Sequence, residues 1–139
     1  MKFNQAIFAR LRLREGQVEG GGGEEQSVCV GTYHMPCMFM CRPVMVIHTA
    51  LLMRHMAKLA NRDPLVVAGD FNFSPGSECY RLVTEGNLEE TSPDFPASRP
   101  WERDWTAELP VKMKSAYKEV EGREPDFTNN AKVFFPYRS

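Results

Sequence analysis

The chain has 139 residues, of which 42% are hydrophobic, and this is enough for one domain with a hydrophobic core rather than for two. Its 17 lysines and arginines nearly balance its 18 aspartates and glutamates, so it lacks the overall positive field with which many proteins attract nucleic acid. Any contact with nucleic acid is therefore expected to be local, and no apolar run is long enough to predict a membrane span.

The first predicted element is a strand over residues 3–13, where apolar residues alternate with arginines. The apolar positions are Ile7, Ala9, Leu11 and Leu13, and the arginines are Arg10, Arg12 and Arg14. A period of two is typical of a half-buried strand. An arginine-rich start without acidic residues also occurs in mitochondrial presequences, but no serine-rich stretch or helical arginine face supports that alternative.

A hairpin is predicted to follow. Residues 19–25 are glycine and glutamate, and they predict a flexible loop because such a stretch cannot pack a core. Residues 28–33 are rich in β-forming side chains and end before Pro36, since proline lacks the donor that a strand needs. We expect this second strand to pair with the first.

Residues 43–60 form a predicted helix, because apolar residues recur three and four apart and Pro43 suits a first turn. Its predicted apolar face consists of Val44, Ile47, His48, Leu51, Leu52, His55 and Leu59. Residues 65–69 are uninterruptedly apolar and predict a fully buried strand. This strand runs into Asp70 and Asn72, which places a carboxylate and an amide at its end.

A short helix is predicted next, with Ser74 as its N-cap, Pro75 at its first position, an extent to about residue 83, and Gly86 as its end. Strands and helices in this succession predict an α/β layered fold with a buried central sheet.

The last part of the chain is predicted to be less regular. Prolines interrupt residues 92–110, which predicts a functional surface loop. Its Trp101 and Trp105 are expected to anchor that loop to the core more often than to stack on a base. Residues 111–120 are a weak helix candidate, and residues 124–135 predict a loop that leads to a strand.

Three segments of the chain resemble one family. Residues 67–75 contain Gly-Asp-Phe-Asn and resemble the signature of the endonuclease/exonuclease/phosphatase superfamily. Residues 31–37 resemble the strand of that superfamily that ends in a Thr-x-His element. Residues 115–117 and 124–129 are similar to a segment that deadenylase-like members carry before their final strands. Order and spacing agree over most of the chain.

The resemblance implies part of a two-layer β-sandwich flanked by helices, with residues 1–139 as a single partial domain, and a phosphate bound to Mg²⁺ or Mn²⁺. It implies that Asp70 orients or deprotonates the attacking water, that Asn72 positions the phosphate or that water, and that His34 donates to a phosphate oxygen. Asn129 is the expected substrate-binding residue, and no metal ligand is assigned. In-line phosphoryl displacement needs such a base, such donors and a metal.

Simpler interpretations stand beside this one. Asp70 and Asn72 are residue types common in turns, and it is the surrounding resemblance that favours a site. His48 and His55 lie seven residues apart, or about 10 Å along a helix, which is too far for one metal ion, so both are expected to pack. The methionines expected to fill core gaps are Met35, Met38, Met40, Met45, Met53 and Met56.

The four cysteines are expected to be free thiols in a reducing compartment, which favours a cytoplasmic or nuclear protein. They are Cys29, Cys37, Cys41 and Cys79. Cys37 and Cys41 form one close pair, whereas a zinc site needs two. We therefore expect buried or half-buried thiols and no zinc.

Two elements of the family have no counterpart in the sequence: a metal-binding glutamate with an early asparagine, and a Ser-Asp-His element expected after Asn129. Asp126 and Asn130 also stand where relatives tend to carry an apolar residue and a tyrosine. Three functions stay open on the resemblance. The first is hydrolysis of RNA or another nucleic acid, with no membrane as a partner. The second is an inactive or partner-binding remnant of such a domain, whose sheet another chain completes. The third is a phosphoinositide phosphatase.

Overall fold

The structure is a computed structural model, and it describes residues 5–12, 27–98 and 105–128. Its elements in chain order are β1 (Ala6–Arg12), β2 (Ser27–His34), α1 (Arg42–Ala60), β3 (Leu65–Asp70), α2 (Glu78–Glu85) and α3 (Ala116–Glu121). The architecture is mixed α/β, a three-stranded sheet with helices beside it, and this confirms the predicted fold class. None of these helices combines the length and apolar character that crossing a membrane requires.

The sheet has the strand order β1-β2-β3, so β2 is central. β1 pairs antiparallel with β2, which confirms the predicted pairing, and β2 pairs parallel with β3. Because a parallel neighbour is reached by a crossover connection, α1 runs from the end of β2 back to the start of β3. The parallel register sets His34 opposite Asp70.

One face of the sheet packs against α1, and the other is open within the described residues. Cys29, Gly31 and Tyr33 of β2 are buried on the helix side, whereas Thr32 and His34 between and after them are exposed. The close approach of α1 depends on the glycine, because a Cβ at Gly31 would lie 2.6 Å from the Sδ of Met56. The core is therefore a single layer between the sheet and the helices.

The helix α1 has the predicted extent, but its buried face shares only Leu52 with the predicted one. The buried residues are Met45, Val46, Thr49, Ala50, Leu52, Met53, Met56, Ala57 and Ala60. Of the predicted face, Leu51 and Leu59 are 56% and 38% exposed, and His55 is exposed rather than packed. The prediction was wrong because apolar residues surround much of the helix, so their spacing does not identify the side that faces the sheet.

The outer strands also differ from expectation. Ile7, Ala9 and Leu11 of β1 lie on the open face, where Ile7 is 66% exposed, while Phe8 packs against the core. Arg10 lies on the helix side and donates to the carbonyl oxygen of Leu59 at 2.8 Å. β3 is not fully buried, and its Val66 is 53% exposed. Both differences arise because α1 covers one face of the sheet only.

The helix α2 begins later than predicted. Its N-cap is Ser77 and not Ser74, and the Ser77 hydroxyl accepts a hydrogen bond from the backbone N–H of Tyr80 at 3.3 Å. Residues 74–77 form a turn instead, closed by a 3.1 Å hydrogen bond from Ser77 N–H to the Ser74 carbonyl. Gly86 ends the helix as predicted, with a φ of 83°.

The described part of the irregular C-terminal region is fixed to the helices. Trp105 packs against the core and makes an edge contact with Phe95, whose ring centroid lies 5.6 Å away, so it anchors the loop as predicted. Arg54 of α1 donates to the carbonyl oxygens of Thr106 and Glu108, at 2.6 and 2.9 Å. The predicted features at Trp101, at residues 19–25 and at residues 129–135 lie outside the described residues.

The sulfur-containing side chains divide into two groups. Met35, Met45, Met53 and Met56 are buried, as predicted. Met38 and Met40 are exposed, so the core prediction is wrong for them. All four cysteines are free, with Cys29 and Cys79 buried. Cys37 and Cys41 are exposed, which contradicts their predicted burial.

Candidate functional site

The structure brings three predicted site residues together where β2 and β3 end. His34 is the last residue of β2 and Asp70 is the last of β3, and the two are register partners. The Nε2 of His34 lies 3.8 Å from Oδ2 of Asp70. Asn72 follows two residues later. The carboxyl ends of neighbouring parallel strands are a frequent ligand-binding position in α/β folds.

Backbone and side-chain hydrogen bonds fix this corner. The backbone N–H of Met35 donates to the Asp70 carbonyl at 2.8 Å, which extends the strand pairing by one step. The Nδ2 of Asn72 donates to the Met35 carbonyl at 2.8 Å, and the Asn72 backbone N–H donates to Oδ1 of Asp70 at 3.1 Å. A carbonyl only accepts hydrogen bonds, so the Nδ2 of Asn72 must face the Met35 carbonyl. The Oδ1 of Asn72 therefore points away from Met35.

The local sequence explains why Asn72 stands where it does. Phe71 and Phe73 flank it, pack partly against the core and contact each other with ring centroids 5.6 Å apart. Asn72 itself has a φ of 51°, a left-handed conformation that asparagine tolerates better than most residues. Two anchored aromatic rings and one permitted backbone turn thus hold the amide beside the end of β2.

The pair of His34 and Asp70 is accessible to solvent. Their side chains are 77% and 64% exposed, on the sheet face that α1 does not cover. When the imidazole is protonated, the pair carries one positive and one negative group side by side. Such a pair is able to accept a proton from a water molecule and to donate to an anionic oxygen at neighbouring positions.

Asp70 and Asn72 have the donor chemistry that Mg²⁺ prefers. This ion takes oxygen ligands and is commonly bound by one or two carboxylates together with water and substrate phosphate. One exposed carboxylate and an amide oxygen fit that pattern. Across the described ranges, no group of three or more His, Cys, Asp or Glu side chains is arranged to hold a metal by itself.

Met35 was interpreted from the sequence as a core residue only, yet its backbone is part of this corner. Its N–H and carbonyl bond to Asp70 and Asn72 as described above. The signal that was available is its position, directly after His34 at the end of a strand. Asn129, the predicted substrate-binding residue, lies outside the described residues.

The segment that leads towards Asn129 is tied to α2. The Tyr80 hydroxyl donates to Oε1 of Glu124, and Ser115 donates to Oε2 of the same carboxylate at 2.9 Å. The hydrogen bond to Glu124 is the main reason that the pKa of Tyr80 is raised to about 12. These two hydrogen bonds fix the start of the segment that resembles the deadenylase-like element.

A surface depression lies apart from His34, Asp70 and Asn72. It has a volume of about 390 Å³, lies on the helix side of the sheet, and is lined by Ala6, Tyr33, His48, Leu51, Leu52 and His55. The Tyr33 hydroxyl and Nδ1 of His48 are 2.8 Å apart there. Because Tyr33 and His34 point to opposite faces of β2, this depression is separate from the Asp70 corner, and no carboxylate lines it.

Comparison with known proteins finds similarity to one group. The chain is 40% identical over 73 residues to the CCR4-Not complex 3'-5'-exoribonuclease subunit Ccr4 of Aspergillus niger, which covers 48% of the chain and 10% of that protein. It is 40% identical over 82 residues to the protein of the same name in Emericella nidulans, covering 52% and 11%. No family model matches the chain.

A plant protein is similar over a longer stretch. Carbon catabolite repressor protein 4 homolog 2 of Arabidopsis thaliana is 30% identical over 98 residues, which covers 68% of the chain and 16% of that protein. The chain thus spans between about a tenth and a sixth of the length of these relatives.

Proposed function

We propose that the chain carries part of the catalytic centre of a divalent-metal-dependent phosphodiesterase of the endonuclease/exonuclease/phosphatase superfamily, acting on RNA. The observation that carries this proposal is the position of His34 and Asp70 as register partners at the carboxyl ends of β2 and β3, with Asn72 fixed beside them. A base, an amide and an imidazole at one exposed corner are the groups that in-line attack on a phosphate needs.

Each residue has a proposed role. Asp70 orients the attacking water and takes its proton, since its side chain is exposed at the sheet end. Asn72 positions the water or a phosphate oxygen through the amide that Met35 holds. His34 donates to a non-bridging oxygen as negative charge develops on it. Asp70 and Asn72 would hold a Mg²⁺ or Mn²⁺ ion, which would supply positive charge to neutralise the phosphate.

RNA is the proposed substrate because of the relatives' names. The chain is similar to fungal and plant proteins, and the fungal ones are named as exoribonuclease subunits. The same names, which include the CCR4-Not complex, support a complex as the proposed partner. Asn129 remains the proposed substrate contact, and a cytoplasmic or nuclear location fits an RNA substrate.

The test is Mg²⁺-dependent hydrolysis of a short labelled poly(A) RNA by the chain and by an Asp70→Asn variant, which keeps the shape of the side chain and removes its basicity. We expect the variant to lose about 10²- to 10⁴-fold in kcat. Glu90→Gln is the matched control, because Glu90 is an exposed acidic residue in a turn. Equal hydrolysis by wild type and Asp70→Asn contradicts the proposal.

His34 is tested separately. His34→Gln retains a hydrogen-bond donor but no imidazole, and we expect kcat to fall by about 10²- to 10³-fold while KM changes little. The His55→Gln variant is the control, since His55 is exposed on α1 away from the corner. A parallel assay on a soluble inositol phosphate distinguishes a phosphoinositide phosphatase from an RNase.

A second candidate function rests on the open sheet face. Ile7, Leu11 and Val66 are each more than half exposed on the face opposite α1. Such a face is suited to burial against another polypeptide that completes the domain. A folded chain that hydrolyses neither substrate supports this second function, a partner-binding remnant, over the first.

A further inference from the structure

Cysteine and methionine side chains are concentrated on the surface of the connection between β2 and α1. Cys37, Met38, Phe39, Met40 and Cys41 are consecutive, and we refer to them as the sulfur loop. Both cysteines are exposed free thiols. Met38 is 40% exposed and Met40 is 101% exposed. Four sulfur atoms in five consecutive residues are thus directed away from the core, although cysteine and methionine are usually buried.

The backbone folds the loop back on itself. The Met38 N–H donates to the Pro36 carbonyl at 2.9 Å, and the Cys41 N–H donates to the Met38 carbonyl at 2.8 Å. The second bond closes a turn of four residues, whose end Cα atoms lie within about 7 Å in such turns. Cys37 directly precedes this turn and Cys41 is its last residue. The two cysteines therefore lie at the two ends of the short segment that this turn folds back.

These thiols do not contribute to the fold in the way the other two do. The Cys29 thiol is buried and donates to Oδ2 of Asp63 at 3.6 Å. Cys41 is the N-cap of α1, yet its side chain makes no capping hydrogen bond. The Cys37 and Cys41 side chains have no packing role that would explain two thiols here.

The donor set selects for a soft ion. Thiolate and thioether sulfurs bind Cu(I) well, whereas Zn²⁺ in structural sites takes four nitrogen and sulfur ligands. In the part of the chain that the structure describes, no third His, Cys, Asp or Glu joins Cys37 and Cys41. Cu(I) is satisfied by as few as two sulfur ligands. The complex of Cu(I) with two thiolates is an anion, and the N-terminus of the 19-residue helix α1 favours negative charge beside it.

We propose that the sulfur loop is a binding site for a soft monovalent metal ion, Cu(I), held by the thiolates of Cys37 and Cys41. The thioether of Met38 or Met40 serves as a supporting ligand. Two thiols and one Cu(I) ion give the bound complex and release two protons, with no change in oxidation state. This site is independent of the hydrolysis proposed above, because its ligands and its readout are different.

The experiment is a competition for Cu(I) between the reduced full chain and the coloured chelator bicinchoninate under anaerobic conditions. We expect the chain to remove one equivalent of Cu(I) and the Cys37→Ser/Cys41→Ser variant to remove none. Met38→Leu/Met40→Leu is expected to weaken binding by roughly 10- to 100-fold, the range seen for supporting groups. Cys79→Ala is the matched control, because Cys79 is a buried thiol of α2 outside the sulfur loop, and its loss is expected to leave binding unchanged.

Two results of this competition overturn the proposal: Cu(I) stays with the chelator in the presence of wild-type chain, or the double serine variant still removes it. A second measurement needs no variant. X-ray absorption at the copper edge of the wild-type complex is expected to show sulfur neighbours alone, and nitrogen or oxygen neighbours contradict the assignment. Displacement of the bound ion by an equal concentration of Zn²⁺ also contradicts it.

Discussion

At the scale of single residues, Asn72 combines a backbone and a side-chain requirement. Its φ of 51° is costly for a residue with an ordinary Cβ, by about 1–2 kcal/mol, and its amide donates to the Met35 carbonyl. Asn72→Gly keeps the permitted backbone and loses the hydrogen bond. Asn72→Ala loses both. We therefore expect Asn72→Ala to have the lower free energy of unfolding, by about 1 kcal/mol, in urea denaturation.

The order of these two variants is the informative result. An alanine variant as stable as the glycine variant contradicts a left-handed residue at this position. Ser74→Ala serves as the control, because Ser74 is exposed in the following turn. Its effect on the free energy of unfolding is expected to be within about 0.5 kcal/mol.

Asp63 connects single-residue chemistry to the effect of pH. Its pKa is lowered from 3.8, mainly by a hydrogen bond from Ser27 and further by the charge of Arg10, whose Nε lies 2.8 Å from Oδ2. Because the folded state has the lower pKa, the stabilisation is present above pH 3.8 and is lost as the pH falls through the folded value. We expect the Tm of the wild-type chain to decrease as the pH drops below about 4. In Asp63→Asn this decrease is expected to be smaller.

Thermal melts between about pH 2 and pH 6 measure this difference. Glu90→Gln is the control of equal charge change, and it is expected to keep the wild-type slope. The same slope in Asp63→Asn and wild type rules out Asp63 as a source of the acid sensitivity.

Residue identity predicted the site residues at the ends of β2 and β3 better than it predicted which side chains are buried. The Gly-Asp-Phe-Asn motif and His34 indicated residues that the structure places side by side, while their catalytic roles remain predictions. Residue type gave the wrong burial for Cys37, Cys41, Met38 and Met40, which the structure exposes. These four residues lie in the connection between β2 and α1, where only Met35 of the sulfur-containing side chains reaches the core.

At the scale of elements, the contact between β2 and α1 depends on a missing side chain. Gly31 faces Met56, whose Sδ would be 2.6 Å from an added Cβ. We expect Gly31→Val to lower the free energy of unfolding by about 1–3 kcal/mol, since the added atoms force α1 outward. Thr32→Val is the control, because Thr32 is exposed on the opposite face of β2.

Coupling between the two positions provides a sharper test. Gly31→Ala and Met56→Ala each remove part of the fit, but the smaller methionine replacement makes room for the new Cβ. We expect the double variant to be more stable than the sum of the two single effects by about 0.5 kcal/mol or more. Strict additivity contradicts direct contact between residue 31 and residue 56.

Element existence was predictable, whereas the orientation of each element was not. Pro43 and the apolar spacing indicated α1, and the β-forming residues indicated β2. The faces of α1 and β1 were predicted wrongly, because both carry apolar residues on two sides, as Leu51 and Ile7 show. Which side is buried depends on the neighbouring element, and periodicity within one segment does not contain that information.

At the scale of the whole molecule, the open sheet face should govern behaviour in solution. Ile7, Leu11 and Val66 expose apolar surface on the face opposite α1. We expect the chain to bind a hydrophobic dye and to self-associate at high concentration. The Ile7→Thr/Val66→Thr variant is expected to reduce both effects while keeping the strand conformation, because threonine is a good β-former.

Dye fluorescence and sedimentation measure the two effects. Leu59→Thr is the control, since Leu59 is exposed on α1 and not on the sheet face. A monodisperse wild-type chain without dye binding contradicts an accessible apolar face. It would also count against the second candidate function, because that function needs the same surface.

The pairing of His34 with Asp70 has a consequence for the order of folding events. These residues are separated along the chain by the whole of α1, so their contact has a large sequence separation and requires closure of a long loop. The helix itself relies on local contacts and is able to form earlier. A kinetic intermediate with native-like helix content would therefore still lack the corner, and a spectroscopic probe placed beside Asp70 would time the last step of folding.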